Sequence, residues 1–155
     1  MNSRMGRARD FGAALLRLAL GAYYLMHAYY AGAVIGVQAL AQANQQMYGV
    51  PFPLVSAWFI VLGHLAGGAM LVIGLYPRIG ALLNVPIMAG AVLFVHLNQG
   101  FFMRGVVVSA AEGRAAAWGY EYSLFLLIAT VAAVFLGGGM FTLRSPRKGI
   151  RISLN

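Results

Sequence analysis

The chain has 155 residues, 61% of them hydrophobic and 9% charged, with a mean hydropathy of +0.78. A soluble domain carries about 25% charged residues, so this composition excludes a soluble enzyme, a disordered chain and a secreted mini-protein. The lack of cysteine also removes disulfide frameworks, thiolate metal sites and cysteine nucleophiles. The net charge of +8 sits at the flanks of apolar runs. Arg4, Arg7 and Arg9 precede the first run, and Arg144, Arg147, Lys148 and Arg151 follow the last. That placement sets orientation in a membrane and favours contact with anionic lipid; it is not the pattern of a nucleic-acid-binding surface.

Four apolar runs are expected to be membrane-spanning helices, over residues 11–37, 54–76, 79–97 and 117–138. Each reaches the roughly 20 residues that a helix needs to cross a hydrocarbon core of about 30 Å. The runs lack the period-2 alternation of a barrel, and an isolated strand would leave its backbone unpaired in lipid. The expected architecture is therefore an all-α four-helix bundle in a single membrane domain, with no strand. The first run has a basic start and the small residues Ala31-Gly32-Ala33, as a signal peptide has. It is too long for one and contains Arg17, so it is read as an uncleaved span.

Residues 38–53 are rich in Gln and Asn and read as the first outer loop, which has no Lys or Arg. Tyr76-Pro77-Arg78 is a tight turn between the second and third spans. An even number of spans puts both termini on one side, and Arg78 with the basic termini assigns that side to the cytoplasm of an inner (plasma) membrane. Trp58, Trp118, Tyr120 and Tyr122 then fall near the outer interface. Small residues recur at Ala28, Gly32 and Gly36 and at Gly63 and Gly67, spacings that suit close helix packing. Pro86 predicts a kink in the third span, and Asn84 beside it a polar contact between helices. Gly137-Gly138-Gly139 reads as a helix stop. Arg17 is close enough to the cytoplasmic end to snorkel, and packing or lipid contact is the role expected of it. Glu112 and Arg114 read as a solvated pair or a docking surface in the second outer loop.

Ionisable residues within spans are rare and mostly face the bundle interior. Counting at 1.5 Å per residue, His27 and His96 lie about 24 Å from the inner face and Glu121 about 6 Å below the outer surface, with His64 roughly 9 Å deeper. Three helices thus bring one histidine each to the outer half or the middle, and the fourth brings Glu121. Tyr23 and Tyr30, four residues before and three after His27, share its helical face. Several chemistries fit. Two imidazoles on different helices hold a haem iron. Three histidines and a carboxylate bind zinc or iron, which makes His27, His64 and His96 the metal candidates. A histidine and Glu121 beside tyrosine rings suit the protons and oxygens of a quinone. The plainer alternative is that each histidine hydrogen-bonds a neighbouring helix. No H-E-x-x-H motif is present, no helix carries two histidines, and three acidic residues do not provide a paired-carboxylate hydrolase.

Several ordered segments resemble DoxX-type membrane proteins. Leu16-Arg17-Leu18-Ala19-Leu20-Gly21 is similar to the family's opening. The stretch from Gly67-Gly68-Ala69-Met70 through Gly74-Leu75-Tyr76-Pro77-Arg78 is similar to its second-helix end and turn. His96 with Gly100-Phe101-Phe102 resembles its third-helix motif, and Glu121-Tyr122 with Gly137-Gly138-Gly139-Met140-Phe141-Thr142-Leu143 resembles its ending. Two departures stand out: His64 takes a place where the family commonly has Glu, and Ala31 lies where a Lys often follows the helix-one histidine. The resemblance implies a four-helix bundle associated with redox systems, since the family includes the membrane subunit of thiosulfate:quinone oxidoreductase. It implies membrane or periplasmic protein partners and, for His27, His96 and Glu121, family positions. Two functions follow as expectations. One is a quinone-linked subunit that binds quinone, or haem, in the outer half of the bundle. The other is a non-catalytic accessory subunit packed against other helices of a larger complex.

Overall fold

The structure is a computed structural model that describes residues 3–102, 105–109 and 114–143. The cationic tail with Arg144, Arg147, Lys148 and Arg151 lies outside the described residues, as do Arg104 and Glu112. The chain forms an all-α membrane bundle. Helix α1 (Ser3–Tyr29) packs on α3 (Pro53–Ile73), α3 on α4 (Pro77–Gly90) and α4 on α5 (Glu121–Leu136); α5 returns to α1 and closes the ring. Leu20 and Tyr24 of α1, Leu71 of α3, Ala81 and Met88 of α4, and Leu126 and Ala133 of α5 make the shared core. Large apolar side chains such as Val55, Phe125 and Phe135 point outward, as they do where lipid is the solvent.

Three helical stretches are long and apolar enough to cross a membrane: Arg4–Gln46, Pro53–Ile73 and Pro77–Gln99. The first exceeds the expected span. After α1 the helix widens into a π-helical segment (Tyr30–Gly36), and Gly36, at φ 84°, breaks the helical path before α2 (Val37–Gln46). Most of the expected first outer loop is therefore helix. Its Gln- and Asn-rich composition marked it as polar, but α2 lies against α3 and Asn44 is buried, donating through Nδ2 to Ser56 Oγ at 3.3 Å. Packing overrides the weak helix propensity of such a segment.

Helix α3 starts with Pro53 at its first turn, where a missing N–H costs nothing. It ends at Gly74 in the left-handed region, with the Gly74 and Leu75 N–H groups both returning to the Met70 carbonyl. Pro77 starts α4 in the same way. Pro86 lies inside α4, which runs on to Gly90; a π-helical turn (Ala91–His96) and a short tight turn (Leu97–Gln99) follow. The connection to α5 corrects the expectation of no strand. Gly105–Ser109 (β1) and Arg114–Trp118 (β2) pair antiparallel, with Gly105 opposite Trp118 and Ser109 opposite Arg114. Outside the apolar layer a hairpin can leave its edges to water, and Val106-Val107-Val108 favours the extended backbone. The hairpin also moves the start of the last helix from residue 117 to Glu121. The Glu121 N–H bonds the Phe101 carbonyl at 3.0 Å, and that of Tyr120 the Gly100 carbonyl at 3.0 Å. At 16 residues, α5 is about 24 Å long.

Candidate functional site

The glycines at helix-packing spacing bring α1, α3 and α4 close enough for short polar side chains to meet. A methyl group on Gly68 would lie 3.0 Å from the Gly21 carbonyl of α1, and one on Gly67 would lie 2.6 Å from the Gly80 carbonyl of α4 and collide with the Asn84 amide. Into this crossing point α3 sends His64, 2% exposed, and α4 sends Asn84, fully buried. His64 Nδ1 and Asn84 Oδ1 are 2.6 Å apart. Asn84 Nδ2 donates to the Gly80 carbonyl one turn back, at 2.8 Å. The polar contact expected of Asn84 is thus a link from α4 to α3.

Aromatic rings of α1 and α5 extend this link outward. The Tyr24 ring stacks on His64, centroids 4.9 Å apart and planes within 9°, and His27 meets His64 edge-on at 5.1 Å and 89°. Tyr23 stacks on His27 at 5.8 Å and touches Tyr122 of α5 edge-on at 5.9 Å. Tyr24 hydrogen-bonds Thr130 of α5, whose hydroxyl donates to the Leu126 carbonyl at 2.6 Å. The result is a column of rings from exposed Tyr122 and His27 through half-buried Tyr23 to buried His64, touched by all four helices. Tyr24, Tyr122 and Thr130 were not among the candidates. Tyr24 and Thr130 do carry a signal in the sequence, each being a polar group inside an apolar span.

His96 and Tyr30 make no contact with this column among the described residues. His96 ends the π-helical turn, half-buried, with Nδ1 3.1 Å from Gln99 Oε1 in a local contact. Glu121 opens α5, where a carboxylate complements the helix dipole. Tyr30 starts the π-helical segment and makes no ring contact among the described residues. Of the three histidines, His27 and His64 meet and His96 contacts Gln99 instead, because depth along a helix does not fix which way a side chain faces. Among the described residues no three of His, Cys, Asp or Glu are grouped to hold a metal ion. Nor do His27 and His64 suit a shared haem as they stand, since perpendicular rings in contact leave no space for a macrocycle between them.

Arg17 corrects a second expectation. It does not snorkel; it is 1% exposed. Its Nε donates to the Gly138 carbonyl at 3.1 Å, Nη1 to Leu71 and, at 3.1 Å, to Val72, and Nη2 to Met140 at 3.3 Å and Phe141 at 3.2 Å. Leu71 and Val72 belong to the last turn of α3, and the other three carbonyls follow α5. The guanidinium therefore caps the negative end of α3 and ties it to the chain that follows α5. The glycines at 137–139 do more than stop a helix, because a methyl on Gly139 would strike the Asp10 carbonyl and one on Gly138 the Thr142 side chain.

A family model described as DoxX matches residues 12–97, more than half of the chain. The match holds Arg17, the ring residues of α1 and α3, Asn84 and His96, while Glu121 and the glycine run lie beyond it. No curated protein and no solved structure matches the chain.

Proposed function

The chain belongs to the DoxX family, and from that premise we propose that it is an inner-membrane subunit of a quinone-linked redox system. In this reading the column around His64 binds the quinone ring. The observation that carries it is the column itself: two imidazoles and three phenols, on α1, α3 and α5, in contact inside a membrane bundle, with one imidazole buried and its neighbour at the surface. Polar and ionisable groups at such depth are expensive, and where they cluster they mark ligand or proton pathways.

A quinone supplies two-electron, two-proton chemistry at its ring oxygens. This chain supplies the surroundings. His64 is held by Asn84 and presents its other nitrogen to a ring oxygen. Tyr24, stacked on His64 and fully buried, backs the imidazole, and half-buried Tyr23, stacked on His27, is a flat wall for an aromatic ring. His27 stands between His64 and the surface, placed to pass a proton. Electrons come from or go to a membrane or periplasmic partner protein. Both termini are assigned to the cytoplasm by Arg4, Arg7, Arg9 and Arg78. The ring column then lies in the outer part of the bundle, His27 being about 15 Å along α1 from Arg17.

One observation favours the second reading, a non-catalytic accessory subunit. Helix α5 falls short of a hydrocarbon core of about 30 Å and turns Phe125, Ile128 and Phe135 outward, a surface that neighbouring helices of a larger complex would cover. One titration separates the two. Purified protein in detergent is titrated with a decyl-substituted benzoquinone, followed by quenching of tyrosine and tryptophan fluorescence. The His27→Ala/His64→Ala variant is expected to bind at least tenfold more weakly. An unchanged affinity overturns the quinone reading and leaves the accessory one.

A further inference from the structure

We propose that the tether on His64 makes this site select hydrogen-bond donors, so that it takes the hydroquinone form of a quinone-class ring in preference to the oxidised form. This rests on the ring-binding reading above and adds which redox state the site recognises.

The argument runs through three atoms. A backbone carbonyl only accepts, so the Asn84 atom 2.8 Å from the Gly80 oxygen is the amide nitrogen. The Asn84 atom 2.6 Å from His64 Nδ1 is consequently the amide oxygen, an acceptor, and Nδ1 carries the proton. The Gly80 carbonyl holds this orientation in place, and Gly67 leaves the space that the Asn84 amide fills. Buried away from water, the His64 ring is neutral. A neutral imidazole with Nδ1 protonated has only a lone pair at Nε2.

That lone pair is the free end of the site. Nε2 makes no hydrogen bond to a described residue. Yet none of the buried side-chain nitrogens and oxygens among the described residues is left without a partner. Nε2 therefore keeps a small accessible area of its own. A quinone carbonyl placed there would set lone pair against lone pair, whereas a hydroquinone hydroxyl donates into Nε2. Sites built around a fixed polar group reject the analogue that cannot satisfy it. His27 makes no hydrogen bond among the described residues and can turn to donate or accept, so the selection belongs to His64.

Two measurements test this. The first titrates the detergent-solubilised protein anaerobically with the decyl benzoquinone and with its hydroquinone. The hydroquinone is expected to bind about tenfold more tightly, the effect of one hydrogen bond, and Asn84→Leu to reduce the ratio to about twofold. The second leaves His64 and Asn84 unaltered. Nitrogen-15 NMR of the histidine-labelled protein, assigned with His27→Gln and His96→Gln, is expected to show a pyrrole-type Nδ1 and a pyridine-type Nε2 for His64. Quinone binding as tightly as hydroquinone, or a protonated Nε2, overturns the selectivity and leaves the ring-binding reading standing. Failure of both forms to bind overturns both.

Discussion

Arg17 and His64 are both buried polar side chains inside a membrane bundle, and their surroundings differ in one respect. All five N–H donors of Arg17 meet backbone carbonyls. His64 has two ring nitrogens and only Nδ1 is bound. A saturated group has nothing left to offer a ligand, and its work is to hold α1, the end of α3 and the chain after α5 together. A group with one committed and one open atom is held in place and still able to bind. Saturation of donors and acceptors separates the structural polar residue from the binding one more sharply than burial does, since both are at most 2% exposed.

The largest effect is expected at the saturated end. Arg17→Ala leaves five carbonyls, two at the end of α3 and three after α5, without their donor, which should destabilise the bundle by roughly 3–5 kcal/mol, seen as a lower midpoint of thermal unfolding in detergent. Arg17→Lys retains the charge but at most three donors and should fall between the two. In the fraction that stays folded, hydroquinone affinity should remain within about twofold. A tenfold loss there would break the comparison, because Arg17 would then be coupled to the ring column.

Gly67→Ala attacks the tether. The added methyl must push the Asn84 amide aside, a cost of about 1–3 kcal/mol, and it should also erase the preference for hydroquinone. If stability falls while the preference stays, the tether does not set the His64 tautomer. The smallest change is expected for Tyr24→Phe, which keeps the ring stacked on His64 and removes the hydrogen bond to Thr130. About 1 kcal/mol of stability should be lost, with ligand affinity unchanged. A larger loss of affinity would give the Tyr24 hydroxyl a direct part in binding.

How far these features could be read in advance follows from what a sequence encodes. The four helices, the Gly74–Pro77 turn and the stop at the glycine run were legible because apolar length and Pro/Gly placement act locally. Asn84 was legible as a polar contact because an amide in an apolar helix must find a partner. Helix α2 was missed because its support comes from α3. The Arg17 cage was missed because its acceptors are backbone carbonyls, 54 to 124 residues away along the chain, and a carbonyl has no letter in the sequence.

The sequence by itself determined that this chain lives in a bilayer as a helical bundle, that a few polar residues interrupt its apolar helices, and how far apart along each helix they sit. Those properties follow from hydrophobic transfer and a fixed rise per residue, which act on each segment separately. Only the tertiary structure decided which of those residues meet. The rotation of one helix against another is set by glycine contacts and π-helical turns that no single segment contains. It put His27 beside His64 and left His96 with Gln99, and it made Arg17 the clasp between the end of α3 and the chain after α5.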